Sequence, residues 1–92
     1  MDLINLANCK RFDTGIVRQI DEALMSTKSG LISGEVEARL LEMGFIEGAK
    51  IEVLHLGAWG REPIAVRINN SNSIIALRKN EASSILLEKI NK

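Results

Sequence analysis

"LLEMGFIEGAKIEVLHLG", residues Leu40 to Gly57, carries an apolar helical end into an alternating strand through two closely spaced glycines. Gly44 stands where a left-handed residue just past a helix ends it without a Cβ penalty. "FIEG" then makes a tight joint, and Gly48 supplies a second turn residue suited to positive φ. The chain leaves directly into "AKIEVLHL". Two glycines so placed let a helix pack hard against the strand that follows it, the corner of a small curved β fold. No cofactor loop is needed to account for them.

Upstream, "SGEVEARLLEMG" carries the clearest helical pattern of the chain. Ser33 can accept hydrogen bonds from backbone N–H groups one turn in. Glu35 and Glu37 sit at the positive end of the helix dipole, and Glu35 lies four residues before Arg39, the spacing of an ion pair. Val36, Leu40 and Met43 share one stripe, with Leu41 beside it. Farther back, "EALMSTKSGLIS" mixes helix formers with a Ser-Thr-Lys-Ser-Gly run, which predicts a helical turn and then a loop ending near Ser33. "GIVRQID" alternates and is β-branched, predicting a strand of about five residues. A polar turn at Asp13-Thr14-Gly15 precedes it.

Downstream the pattern is β. "KIEVLHL" predicts a strand, "GAWGRE" a loop, and "PIAVRI" a strand with Ile64, Val66 and Ile68 on one face. Pro63 at its start fits the exclusion of proline from ladder interiors. "NNSNS" is a turn cluster, "IIALRK" a third strand, "NEASS" one helical turn capped by Asn80, and "ILLEKI" a closing strand. The expected fold is mainly β with one or two helices, a small SH3-like barrel of about five short strands.

Composition agrees with a single domain spanning residues 1–92. Hydrophobic residues make up 46% of the 92, too many for a disordered chain. Twelve basic and twelve acidic residues cancel, so charge gives no reason to expect a nucleic acid or an anionic membrane as partner. Cys9 is the single cysteine, which rules out an internal disulfide. No stretch approaches the roughly 20 apolar residues of a membrane span, and the start of the chain lacks a signal-peptide pattern. The expectation is a cytoplasmic protein with no direct membrane insertion.

Residues 39–88, "RLLEMGFIEGAKIEVLHLGAWGREPIAVRINNSNSIIALRKNEASSILLE", resemble the FeoA family, ferrous iron transport protein A. Arg39, Leu40, Met43, Gly44, Gly48, Pro63, Ala76, Leu77, Arg78, Glu81 and Ala82 occupy that family's pattern in order. The opening, with Leu3 and Leu6, matches more loosely, and Cys9 stands where glycine is usual. "HLGAWGREP" is bulkier than the usual loop, and the connection between the first strand and the helix is longer. The resemblance implies a small cytosolic accessory of ferrous-iron uptake that binds the cytosolic, GTPase-bearing part of the FeoB transporter. The same domain type resembles the C-terminal SH3-like module of iron-dependent repressors, so the alternative expectation is a detached regulatory domain. It implies no catalytic residues and no cofactor.

The residues themselves point the same way. There is no GxxxxGK[ST] loop, and the lone His55 shares a predicted strand face with Ile51 and Val53, a structural placement rather than a catalytic one. His55, Cys9, Glu47, Glu52 and Glu62 are the available metal donors. One histidine falls short of the converging N/O set that a ferrous site asks for, so no metal site is assigned and folding is expected without metal. Aromatics are too few for a proline-rich-peptide groove or a base-stacking surface. Trp59 has two readings, a plug over the barrel end or a contact anchor beside Arg61. Trp59, Arg61 and Leu40 are the candidate partner-binding residues, with the Val36–Met43 helix as the alternative surface.

Overall fold

Alternation of β-branched residues becomes a single antiparallel sheet in the computed structural model, which describes residues 2–25, 34–58 and 61–90. The described residues form β1 (Leu3–Asn5), β2 (Thr14–Ile20), α1 (Glu35–Glu42), β3 (Lys50–Gly57), β4 (Arg61–Ile68), β5 (Ile74–Leu77), α2 (Lys79–Ala82) and β6 (Ile85–Lys89). Short 3₁₀ turns follow β1 and β2, at Leu6–Asn8 and Glu22–Leu24. The six strands run in the order β1-β6-β2-β3-β4-β5.

This differs from a five-stranded barrel in two ways. β1, only three residues long and not evident from its sequence, pairs with β6 through Leu3↔Glu88 and Asn5↔Leu86. The sheet also does not close, because β1 and β5 are its two edges. Its inner face is nonetheless sealed. Val17, Ile51, Val53, Ile64, Val66, Leu77, Ile85 and Leu87 are all at most 1% exposed. An eight-residue helix is only about 12 Å long and cannot by itself cover six strands. The sheet must therefore coil over its own face. Register shifts at Val17/Gln19 and Val53/His55 are where the ladders bend, since a bulge sharpens local twist.

α1 closes the core with Val36 and Leu40, as its stripe predicts. It begins at Glu35 behind Gly34, whose φ of 90° holds the cap position without a side-chain hydrogen bond; the predicted cap, Ser33, lies outside the described residues. The ion pair expected within the helix is replaced by a distant one, Arg39 with Glu81 of α2. Glu81 also accepts from the backbone N–H of Arg78 at 3.1 Å. Arg78, rather than Asn80, is thus the residue that precedes α2.

The joint after α1 meets the sequence expectation in detail. Gly44 has φ 106° and Gly48 has φ 93°. The N–H of Phe45 donates to the Leu40 carbonyl and that of Gly44 to the Leu41 carbonyl, both at 3.0 Å. That pair of bonds is a Schellman ending, and the two residues it links, Phe45 and Leu40, are both fully buried in the core. Gly48 sits third in the turn closed by Ala49 N–H to Ile46 C=O, 3.0 Å, where positive φ defines a type II turn. The joint docks on β2, since Gly48 donates to Val17 and Val17 donates to Ala49.

Boundaries moved elsewhere. Thr14 and Gly15 belong to β2, and the turn before it is Lys10–Asp13, closed by the Asp13 N–H on the Lys10 carbonyl. β3 runs to Gly57 and β4 starts at Arg61, so Gly57, Arg61 and Glu62 of the predicted "GAWGRE" loop are hairpin strand. Pro63 is exposed and follows a cis peptide bond within β4. The Asn cluster turns as its composition predicts, with Asn69 and Asn70 at φ 52° and 61° and Ser71 donating to Ile68.

Candidate interaction surfaces

The candidate metal donors are spread around the molecule. His55 is exposed, because the bulge between Val53 and His55 breaks the alternation that would have placed it with Ile51 and Val53. Cys9 is buried, its Sγ 3.8 Å from the Asn5 carbonyl. Glu52 faces Arg67 at 3.5 Å across β3 and β4. Glu47 is exposed on the joint, and Glu62 lies half-buried on β4. Among the described residues no three His, Cys, Asp or Glu side chains gather as metal ligands.

Of the predicted contact residues, only Leu40 has a side chain among the described residues. Leu40 is 0% exposed, so it supports the core and offers no surface to a partner. Its neighbour Leu41, off the core stripe, is 42% exposed. Trp59 and the side chain of Arg61 lie outside the described residues; the Arg61 backbone opens β4 opposite Gly57. Gly57 has a function of its own, because a Cβ there would overlap the backbone of Glu62 and Pro63. Only glycine lets the two hairpin arms approach this closely.

The depressions on the surface include two among the described residues. One, of about 490 Å³, is lined by Asn5, Asn8, Glu62, Lys79, Asn80 and Ser83. Most of the residues lining it are polar, and the Asn5 amide is already committed, since it donates to the Ser83 carbonyl and accepts from Ala7. The other, of about 180 Å³, lies between β2 and α1 beside Ile20, Glu37, Leu41 and Glu47. No sequence pattern signals the first, because three separate segments build it.

The most unusual local geometry is in the turn before β2. The N–H of Phe12 donates to the Val53 carbonyl at 2.7 Å, and Val53 donates back to Asp13 at 2.8 Å. Phe12 and Asp13 together therefore oppose Val53, a bulge whose first residue must be left-handed. Phe12 has φ 74°. Glycine normally takes such a position, and an L side chain there costs roughly 1–2 kcal/mol. Burial does not offset this, since Phe12 is 61% exposed.

The surrounding bonds hold the turn firmly. Lys10 N–H donates to Asp13 Oδ2 at 2.8 Å, and Lys89 Nζ lies 3.5 Å from Asp13 Oδ1. Arg11 Nε donates to the Leu54 carbonyl at 3.2 Å. Its guanidinium lies over the Phe12 ring, 4.7 Å from the centroid. Sequence reasoning passed over Phe12. The available signal was an aromatic in the polar run "CKRFDTG", with no period to bury it.

The chain matches the FeoA domain family model over residues 4–89. No curated protein sequence matches it significantly. Among solved structures, a FeoA-like protein from Clostridium acetobutylicum is 24% identical, with a TM-score of 0.77 over 100% of this chain and 92% of that one. FeoA from Stenotrophomonas maltophilia, complexed with zinc and described as a unique prokaryotic SH3 domain protein, is 21% identical with a TM-score of 0.71. It aligns over 92% of this chain and 89% of its own. A manganese-dependent transcriptional repressor is 19% identical with a TM-score of 0.79, covering 98% of this chain but 38% of the repressor.

Proposed function

The chain belongs to the FeoA family, and on that premise we propose that it is an accessory domain of ferrous-iron uptake that binds the cytosolic, GTPase-bearing part of a FeoB transporter. The observation that carries this reading is the span of the family match, from β1 to the end of β6. The Stenotrophomonas relative, described as possibly acting as a bacterial ferrous iron transport activating factor, supports it. No helix among the described residues is long and apolar enough to cross a membrane. In this reading the domain works by contact, with iron as the transporter's cargo, and FeoA is a family of small transport-associated domains rather than of enzymes.

The β3–β4 hairpin carrying Trp59 and Arg61 belongs to the contact in this proposal, because Trp and Arg are the residue types that anchor interfaces. Titrating the purified cytosolic domain of the transporter from the same organism tests it. Saturable binding is expected, and Trp59→Ala should weaken it roughly thirtyfold, about 2 kcal/mol, with little change in the melt. Absence of binding both with and without guanine nucleotide would overturn the reading.

A second reading, a detached regulatory domain acting on a DNA-binding protein, is favoured by the fold shared with the manganese-dependent repressor. At 19% identity that likeness speaks for the fold alone. A pull-down that recovers the repressor and leaves the transporter domain behind would select it.

A further inference from the structure

We propose that the Lys10–Phe12 turn is a docking knob, the point at which this domain seats on an acidic protein surface with an apolar socket. The inference rests on the reading above, and the transporter's cytosolic part is its occupant. Three independent features converge on the same three residues.

First, Phe12 occupies a left-handed position with a bulky side chain. Such strain persists only when the surroundings enforce it, and it concentrates at binding sites. The surroundings here do enforce it, through the paired bonds to Val53 and the carboxylate of Asp13 on Lys10. The strain secures no core packing in return, because Phe12 is exposed and its ring meets the Arg11 guanidinium at the surface. Glycine or asparagine fills every other positive-φ position among the described residues.

Second, the knob is organised before it meets anything. Arg11 is tied to the Leu54 carbonyl and lies over the Phe12 ring. Holding an aromatic and a cation in one fixed arrangement removes the ordering cost that a floppy loop meets on binding. Aromatic and arginine side chains are also those enriched at interface hot spots.

Third, the charge is one-sided. Lys10 and Arg11 are exposed and take part in none of the ion pairs among the described residues. The nearby acid, Asp13, is already engaged with Lys89 and the Lys10 backbone. What the knob presents outward is therefore an apolar ring under the Arg11 guanidinium, with a second exposed cation, Lys10, in the same turn, which an acidic rim around an apolar socket complements. A lipid surface fits less well. The chain carries no net charge, and one ring lacks the broad apolar face of an interfacial anchor.

The test uses the full chain and the transporter's cytosolic domain as probe, measuring affinity and melting temperature together. Phe12→Gly should weaken binding at least tenfold while melting no lower than the parent. Lys10→Glu combined with Arg11→Glu should weaken it further and flatten the salt dependence of the affinity. If the parent binds and both variants bind equally well, the knob is refuted while the transporter reading stands. If the parent itself does not bind, both fall. Unchanged transporter binding, combined with Phe12-dependent binding to phosphatidylglycerol vesicles, would overturn the protein-surface assignment in favour of a lipid one.

Discussion

Two turns in this molecule make the same demand on the backbone and answer it in opposite ways. In the joint from α1 to β3, positive φ falls on Gly44 and Gly48, so no side chain meets a penalty. Phe45 between them is driven into the core at 0% exposure. In the turn before β2, positive φ falls on Phe12, and the aromatic points outward. The first turn is composed for folding, every local choice agreeing with the global packing. The second departs from that consistency at one residue. Such departures are expected where a sequence answers to something besides stability.

The comparison can be attacked first through Gly57, which separates space from conformation. Its φ is not positive, yet a Cβ would overlap the Glu62 backbone. Gly57→Ala should cost about 3 kcal/mol, the upper range for overpacking. A urea midpoint close to the parent's would show that the hairpin arms can part at little cost.

Next come the joint glycines. A Cβ on Gly48 meets open space and one on Gly44 only ordinary contact with Ile68, so conformation alone sets the penalty. Gly44→Ala and Gly48→Ala should each destabilise by roughly 1 kcal/mol or more. Equal stability of either variant in urea would remove that position from the argument.

Phe12→Gly should behave in the opposite sense. Relief of the strained φ outweighs the loss of an exposed cation–π contact, worth about 0.5–1 kcal/mol, and the added freedom of the unfolded chain. The expected result is no loss of stability, and at most a gain of about 1 kcal/mol. A fall of more than 1 kcal/mol would mean that Phe12 stabilises the fold, and the contrast between the turns would collapse.

The smallest effect concerns Arg39 and Glu81, an ion pair whose arginine side chain is 53% exposed. Arg39→Ala should cost no more than about 0.5 kcal/mol, and less in high salt. A larger loss would show that α1 depends on α2 for its place beside the joint.

Much of the architecture was legible because short-range chemistry writes it. The helix ending at Gly44 follows from residues within a turn of one another. The Asn69–Asn70 turn likewise needs only residues that tolerate positive φ. Period-two alternation placed Ile64, Val66 and Ile68 on one face, and all three are buried. The candidate surface was far less legible. Leu40 matched a family pattern but lies in the core, and nothing in "CKRFD" reveals that Val53 imposes a left-handed φ on Phe12.

By itself, then, the sequence determined the elements whose causes are local: where the helix stops, where the chain turns, and which alternate residues seek the interior. Tertiary structure alone decided the rest. It recruited three residues as β1 by offering the edge of β6, and it left the sheet open. It turned His55 outward through a bulge and gave Arg39 a partner in α2. Each of these depends on register between segments far apart in the chain. A one-residue shift in register reverses which face a side chain occupies, and only the summed packing of all six strands selects among such shifts.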